Sequence, residues 1–158
     1  MRWALLIGLL AALAAPGSSS ASACGSLSGS FSVVPNSQGA GNILYTLRLK
    51  NRGSASCLLA GLPILRLLGT GGRALPTHIS RDPRYKAPHP FLLRPGKTAS
   101  ATARFTPDVP GPGETTIGAC EPVAHTARVT AGAATVVVPI RPPTRVCVHG
   151  HMTFTPYR

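Results

Sequence analysis

The stretch ILYTLRLKNRGSASCLLAGLPILRLL, residues 43–68, is the segment around which the fold is expected to form. Its opening residues alternate between two sides of an extended chain, which is the pattern of a strand with one buried face. The expected inner side chains are Ile43, Tyr45, Leu47 and Leu49, and the expected outer ones are Leu44, Thr46, Arg48 and Lys50. Residues 51–54 then supply turn-forming side chains, Cys57 follows, and Pro63 precedes a second apolar run.

Short strands between turn signals are expected through the rest of the chain. Besides the central strand at residues 42–50, the predicted strands are residues 30–34, 64–68, 74–79, 91–93, 98–105, 123–130, 135–140 and 146–155. The glycines in residues 69–72 predict a hairpin between the strands on either side, and the prolines in residues 141–144 predict a break. Crossover helices are not expected, so the predicted fold class is all-β, an antiparallel two-sheet sandwich of immunoglobulin-like type with two disulfides.

The composition indicates a β domain with many turns and a strongly basic surface. Hydrophobic residues make up 44% of the chain, which argues against the disorder that 17 Gly and 16 Pro would otherwise suggest. Lys and Arg total 16 against 4 Asp and Glu, giving a formal charge of +12, or +11 without Arg2. Such a charge favours anionic cell-wall polymers, anionic lipid or nucleic acid. A compositional bias toward Arg is the competing explanation.

The placement of the basic residues limits the kind of partner. They are scattered along the predicted strands and form no basic run, so sequence-specific nucleic-acid binding is not expected. A weak contact with a cell-wall polymer or anionic lipid is predicted, together with an unidentified envelope or extracellular partner. The chain is expected to be a monomer.

Residues 1–23 have the pattern of a secretory signal peptide, which leaves residues 24–158 as a single β-sandwich domain. Arg2 supplies the positively charged n-region of the signal, and residues 4–15 form its apolar h-region. Residues 21–23 form a cleavage site of small residues before Cys24. The apolar segment is too short to span a bilayer. The predicted location is extracellular. The alternative is a lipoprotein signal, in which an acylated Cys24 anchors the protein to the cell membrane.

The cysteines are expected to form two disulfides, because an oxidising compartment permits them and the number is even. The four are Cys24, Cys57, Cys120 and Cys147. Three pairings are possible, and the one favoured joins Cys24 to Cys57 and Cys120 to Cys147, since each pair then ties neighbouring segments. Lipidation of Cys24 would leave an odd number of thiols, which favours a free mature N terminus.

The segment CVHGHM, residues 147–152, is the one cluster that suggests chemistry. In a strand, Cys147, His149 and His151 would share a face and could present ligands to copper or zinc. An oxidised Cys147 is lost as a ligand, and two histidines fall short of the three or four ligands of a stable site. The sequence therefore predicts no metal or cofactor, and a metal-handling protein that uses His149 and His151 stays as the alternative.

Catalytic function is not expected. The four acids lie among Pro or Gly in predicted loops; they are Asp82, Asp108, Glu114 and Glu121. General acid–base catalysis needs carboxylates or histidines that are held in a pocket, and such loops are not expected to form one. The segment GSLSG, residues 25–29, has Leu27 where a nucleophile elbow has its serine. No phosphate loop or dinucleotide fingerprint occurs. An unrecognised envelope enzyme is the third possibility.

Several motifs follow one another along the chain: Cys24, Asn51-Arg52-Gly53, the run from Cys57 to Pro63, Arg94-Pro95-Gly96 before an Ala-rich strand, Cys120-Glu121-Pro122, and Cys147 leading to Thr155-Pro156. In this order they resemble a family called domain of unknown function 4232, found in secreted and lipid-anchored proteins of high-GC Gram-positive bacteria. Phe105 stands where the family often has tryptophan. The resemblance implies export and a disulfide-pinned β-sandwich, and it carries over no catalytic or ligand residue. The expected function is an exported binding or structural module of the cell envelope.

Overall fold

The computed structural model describes residues 24–132 and 134–158, and about half of them are in β-strands. The predicted signal peptide, residues 1–23, lies outside the described residues. No helix in the described part of the chain combines the length and apolar character needed to cross a bilayer. The strands are β1 (Leu27–Val33), β2 (Ile43–Asn51), β3 (Cys57–Leu59), β4 (Ile64–Leu68), β5 (His78–Arg81), β6 (Phe91–Leu93), β7 (Thr98–Phe105), β8 (Ala124–Ala131), β9 (Ala134–Thr144) and β10 (His151–Phe154).

Two short helical turns interrupt the strands. Thr70–Gly72 forms a single 3-10 turn after β4, and α1 (Cys147–Gly150) lies just before β10. Eight strands form one continuous sheet in the order β4-β8-β9-β1-β2-β7-β10-β5, and β3 pairs with β6 in a separate two-stranded sheet. The all-β class is thus confirmed, and the sheet folds on itself as a sandwich with one core.

The expectation that all strands pair antiparallel is wrong at two places. β1 pairs with β9 in parallel through Phe31 and Ser32, and β10 pairs with β5 in parallel along four residues. Both parallel pairs join strands that are far apart in sequence. The long connection that parallel strands need is therefore made by the strands that lie between them in sequence rather than by a crossover helix. β1 also pairs with β2 along its whole length and so connects the two halves of the sandwich.

The core forms between the inner faces of β2, β7, β8 and β9. The predicted inner residues of β2 are all buried, and Tyr45 is 1% exposed. β7 contributes Ala99, Ala101, Ala103 and Phe105, as the alternation predicts. The facing layer is also closely packed, because a Cβ at Gly29 would lie 3.0 Å from the Val138 side chain. Small side chains on the inner face therefore let the two layers approach.

Several strand boundaries differ from the expected ones for identifiable reasons. The predicted hairpin after β4 is limited to a bridge between Leu68 and Ala74 and a hydrogen bond from Leu75 N–H to the Leu67 carbonyl. Pro76 has no N–H to continue the ladder, and the chain leaves to form β5 beside β10.

The predicted break at residues 141–144 is also wrong, since β9 continues to Thr144. The prolines are tolerated because the register between β8 and β9 is irregular there, passing from the Thr126–Pro139 pair to the Ala124–Thr144 pair. Pro142 and Pro143 lie opposite this irregularity, where no ladder hydrogen bond is required of them.

The carboxamide of Asn51 fixes the end of β2 to the small β3–β6 sheet. Asn51 is 1% exposed, and its Nδ2 donates to the Leu93 carbonyl at 3.0 Å and the Ala55 carbonyl at 2.8 Å. Its Oδ1 accepts from Gly53 N–H at 2.9 Å. The same loop leads to Cys57, whose disulfide with Cys24 has a Cα–Cα distance of 5.0 Å. The favoured pairing of these two cysteines is thus present in the structure.

We predict that Asn51→Ala lowers the free energy of unfolding by about 2–4 kcal/mol, because it leaves several buried backbone groups without partners. The measurement is urea unfolding of the oxidised protein. Arg52→Ala is the matched control, since Arg52 is exposed and bonds only the Ser28 hydroxyl at its side chain. We expect the control to cost less than about 0.5–1 kcal/mol. Equal losses in the two variants would contradict the role of the Asn51 carboxamide.

Candidate functional site

The first four residues of CVHGHM form a tight turn rather than part of the predicted strand, and β10 begins only at His151. Residues 147–150 form α1, and Val148 and His149 have φ values of 59° and 53°, in the left-handed region. Gly150, with φ of 75°, packs so closely on Pro76 that a Cβ there would clash with the Pro76 carbonyl. The expectation that residues 146–155 form one strand is therefore wrong, and Cys147, His149 and His151 do not share a strand face.

The carboxylate of Glu114 holds this turn in place. One oxygen accepts hydrogen bonds from Gly111 N–H at 2.6 Å and Val148 N–H at 2.8 Å, and the other accepts from His149 N–H. The Glu114 side chain is only 2% exposed. Burial alone would raise the pKa of Glu114, but the three backbone N–H groups outweigh it and lower the pKa. The hydrogen bonds to the charged carboxylate thus offset the conformational cost of the left-handed backbone at Val148, which a β-branched residue rarely adopts.

His149 lies beside two carboxylates. Its Nδ1 is 3.7 Å from Glu114 Oε1 and 3.8 Å from Glu121 Oε1. Its Nε2 is 3.1 Å from the Pro112 carbonyl oxygen. Burial and the neighbouring Glu114 raise the pKa of Glu121. The Cys120–Cys147 disulfide, with a Cα–Cα distance of 5.6 Å, joins the segments that carry Glu121 and His149, and this second favoured pairing is also present.

The structure separates His149 from the other histidines. His151 Nε2 lies 3.1 Å from the Ser80 hydroxyl, and His125 Nε2 lies 3.5 Å from the Thr70 hydroxyl. Within residues 24–132 and 134–158, the groups of three possible metal ligands are Glu114 with Glu121 and His149, and Glu114 with Cys120 and Cys147. His151 belongs to neither group, and both cysteine sulfurs are oxidised.

A second candidate site is the outer surface of β1, β2 and β7, which we call the polar face. Its outward side chains alternate with the buried ones and carry hydroxyl, guanidinium or ammonium groups, with Leu44 as the apolar exception. They are Ser28, Ser30, Ser32, Leu44, Thr46, Arg48, Lys50, Thr98, Ser100, Thr102 and Arg104. No carboxylate occurs among them.

Two clefts open on the polar face. One, of about 350 Å³, is lined by Ser28, Ser30, Arg48, Lys50, Arg52 and Thr98 among others. The other, of about 390 Å³, lies toward the opposite end and includes Thr46, Thr102, Arg84, Arg104 and Arg158. Arg158 is held there by two backbone hydrogen bonds with Ser100, of 2.9 and 3.0 Å. Each cleft therefore presents three basic side chains with hydroxyl groups between them.

Asp82 is the one carboxylate that reaches the larger cleft, and Arg84 neutralises it. The two Arg84 nitrogens Nε and Nη2 donate to the Asp82 oxygens at 3.0 and 2.6 Å, and Arg84 N–H donates at 3.0 Å. The Asp82 side chain is 7% exposed, whereas the Arg84 side chain is 64% exposed. The hydrogen bonds from Arg84 lower the pKa of Asp82 to about 2. Arg104 adds to this effect by its charge.

The family is established by comparison with known proteins. A family model described as "Domain of unknown function (DUF4232)" matches residues 24–158. The chain belongs to this family. No curated protein matches the chain, and no solved structure matches it. In this DUF4232 domain, the ordered motifs that resemble the family lie where a strand ends or where two segments are cross-linked. Asn51 is the last residue of β2, and disulfides link Cys24 to Cys57 and Cys120 to Cys147.

Sequence reasoning missed the roles of the acidic residues. Asp82, Glu114 and Glu121 were expected in solvated loops, yet the side chains of all three are largely buried. One signal was available for Glu121, because it follows Cys120 and the favoured pairing with Cys147 brings it near His149. No signal identified Glu114, because two of its three backbone partners lie 34 and 35 residues away in sequence. Tyr45 lies in the core, as expected from the alternation along β2.

We predict that Asp82 makes the stability of this DUF4232 domain sensitive to acid. Its pKa is about 2 when folded and near 3.8 ordinarily, so its contribution is complete above about pH 4 and is lost as pH falls through about 2. Asp82→Asn should therefore be less stable than the wild type near neutral pH, and the difference should shrink toward zero at about pH 2. Urea unfolding across this range measures it.

Arg84→Gln is the companion variant, because it removes the guanidinium group that donates from Nε and Nη2, while it leaves the carboxylate and the backbone N–H of residue 84 in place. Without the guanidinium group, the pKa of Asp82 in the folded protein should lie closer to its ordinary value of 3.8. Stability should then be lost over a narrower range of acid pH than in the wild type. A stability difference between Asp82→Asn and the wild type that stays constant from neutral pH to about pH 2 would contradict the assignment.

Proposed function

We propose that this protein is an exported module of the cell envelope that binds an anionic cell-wall polymer on its polar face and catalyses no reaction. The observation that carries the proposal is the composition of that face, where basic side chains and hydroxyl groups line both clefts. Phosphate and carboxylate groups are recognised in proteins by guanidinium groups and hydroxyl donors. The two clefts lie on adjoining strands, so an extended polymer could occupy both.

The charge balance of the chain supports the same ligand. The protein carries 16 basic and 4 acidic residues, and the one acid at the larger cleft is paired with Arg84. A polymer with repeated negative charges would therefore meet one acidic side chain, Asp82 in the larger cleft, whose charge Arg84 compensates. An attraction of this kind acts through many weak contacts and decreases as salt increases.

The roles of the buried acids support binding rather than catalysis. Asp82 accepts three hydrogen bonds from Arg84, and Glu114 accepts three from backbone N–H groups. The pKa of each is lowered, which keeps the carboxylate charged rather than ready to take a proton near neutral pH.

Export is supported by the disulfides. Two disulfides indicate an oxidising environment outside the cytosol. The Cys24 sulfur is bonded to Cys57, and a sulfur in a disulfide cannot also carry a thioether-linked lipid. This pairing favours a free mature N terminus over the lipid-anchored alternative, and the mass of the mature N-terminal peptide tests the choice.

We also infer an immunoglobulin-like arrangement for the sandwich. The support is β1, which pairs antiparallel with the following strand β2 and parallel with β9 of the other half. An early strand that connects both sheets suits such a sandwich, in which non-consecutive strands become neighbours.

We predict that Arg48→Glu combined with Arg104→Glu reduces binding to a fluorescently labelled glycerol-phosphate polymer by about tenfold or more, because both arginines lie on the polar face. Titration at two salt concentrations gives the affinity and its salt dependence, and the variant should show a shallower salt dependence than the wild type. A polymer of glucuronate and vesicles with anionic lipid are tested in parallel.

The matched control is Arg66→Glu combined with Arg128→Glu. These two arginines are exposed cross-strand neighbours on β4 and β8, so the change in net charge is the same at a different surface. The control should keep most of the binding. Equal losses in both double variants would show that net charge alone attracts the polymer and would overturn the assignment to the polar face, and stronger binding to vesicles than to either polymer would overturn the choice of ligand.

A further inference from the structure

We infer that Glu114, Glu121 and His149 form a binding site for a divalent transition-metal ion such as Zn²⁺. The three side chains present one imidazole nitrogen and carboxylate oxygens within 4.8 Å of one another. They come from two segments that the Cys120–Cys147 disulfide joins. This site is separate from the polar face, and it differs from the metal site considered from the sequence because His151 takes no part in it.

The distances fit a shared cation better than direct hydrogen bonds. His149 Nδ1 is 3.7 Å from Glu114 Oε1 and 3.8 Å from Glu121 Oε1, which is beyond the range of a hydrogen bond. Ligand atoms about 2.0–2.2 Å from a tetrahedral Zn²⁺ lie about 3.3–3.6 Å from one another. A contraction of a few tenths of an ångström would therefore bring His149 Nδ1 and each carboxylate oxygen to the separation that one ion requires. The two carboxylate oxygens already lie within 4.8 Å of each other.

The orientation of the imidazole points to the same conclusion independently of the carboxylates. His149 Nε2 is 3.1 Å from the Pro112 carbonyl, which can only accept a hydrogen bond, so Nε2 carries a proton. In the neutral ring, the lone pair of Nδ1 then lies on the side of Glu114 and Glu121. Histidines that bind metal usually donate their other N–H to a carbonyl or carboxylate in this way.

The scaffold holds the donors before any ion binds. Glu114 is fixed by three backbone N–H groups, Glu121 follows Cys120 directly, and His149 is two residues after Cys147. The His149 side chain is 53% exposed, whereas those of Glu114 and Glu121 are 2% and 13% exposed. An ion would thus be reached from solvent on the histidine side, and its remaining coordination positions would be open to water.

The donor types select the class of metal. Magnesium and calcium prefer sites made of oxygen atoms alone, whereas one imidazole with two carboxylates suits zinc and its neighbours. Two carboxylates also supply the negative charge that a divalent cation needs at the surface of a strongly basic protein. Only four acidic residues are present in the whole sequence, and two of them converge on this imidazole.

The test is a calorimetric titration of the oxidised, chelator-treated protein with Zn²⁺ near neutral pH. We expect one ion per chain in the wild type, and affinity at least about tenfold weaker in His149→Asn and in Glu121→Gln. Asparagine is chosen at residue 149 because it tolerates the left-handed backbone there. Glu114 is left unchanged because it holds the turn.

His151→Asn is the matched control and should bind Zn²⁺ with wild-type affinity, since His151 lies against Ser80 instead. Urea unfolding and the count of free thiols establish that each variant keeps its fold, and if His149→Asn fails this check, Glu121→Gln decides alone. The site is overturned if the wild type binds no Zn²⁺, if Glu121→Gln binds as tightly as the wild type, or if His151→Asn loses affinity as much as His149→Asn.

Discussion

The antiparallel pairing of β2 with β7 is the constraint on which both the core and the polar face depend. Its register runs from Ile43 opposite Phe105 to Lys50 opposite Thr98. Because side chains alternate along a strand, a slip of one residue would place Arg48 in the core and Leu47 in solvent. In the observed register, large aliphatic side chains of β2 face the alanines of β7, and Arg48 faces Ser100 on the outside. One pairing thus determines the packing on one side and the chemistry on the other.

Local sequence patterns were sufficient for several strands but not for the pairing of strands with one another. The bounds of β4, β6 and β7 agree with the expected ones, because each strand has a clear alternation or lies between Pro and Gly signals. The parallel pairs of β1 with β9 and of β10 with β5 could not be predicted, since strand periodicity carries no information about a distant neighbour. The prolines of β9 were misread because proline breaks a regular ladder, and this ladder is irregular where they lie.

The polar face and the turn at residues 147–150 were likewise predictable only in part, because each depends on contacts between distant segments. The outward side chains of β2 were expected from the alternation, but their assembly with those of β1 and β7 into one face required the pairing of β2 with both strands. The turn at residues 147–150 was missed because Val146, Val148, Met152 and Phe154 occupy alternate positions, as in a strand. The buried Glu114 overrides that pattern from a distant loop. Buried polar groups such as Asn51 and Glu114 act through bonds that no local pattern records.

The polar face is built on strands, and its charged groups are therefore spaced by the sheet itself. Neighbouring strands lie about 4.8 Å apart, and alternate side chains on one strand about 7 Å apart. The resulting grid is rigid, so a ligand that settles on it orders little of the protein. If the polymer proposed as the ligand has a regular repeat, it would find similar contacts after each step along its length, and the protein could then move laterally along the polymer while it stays bound.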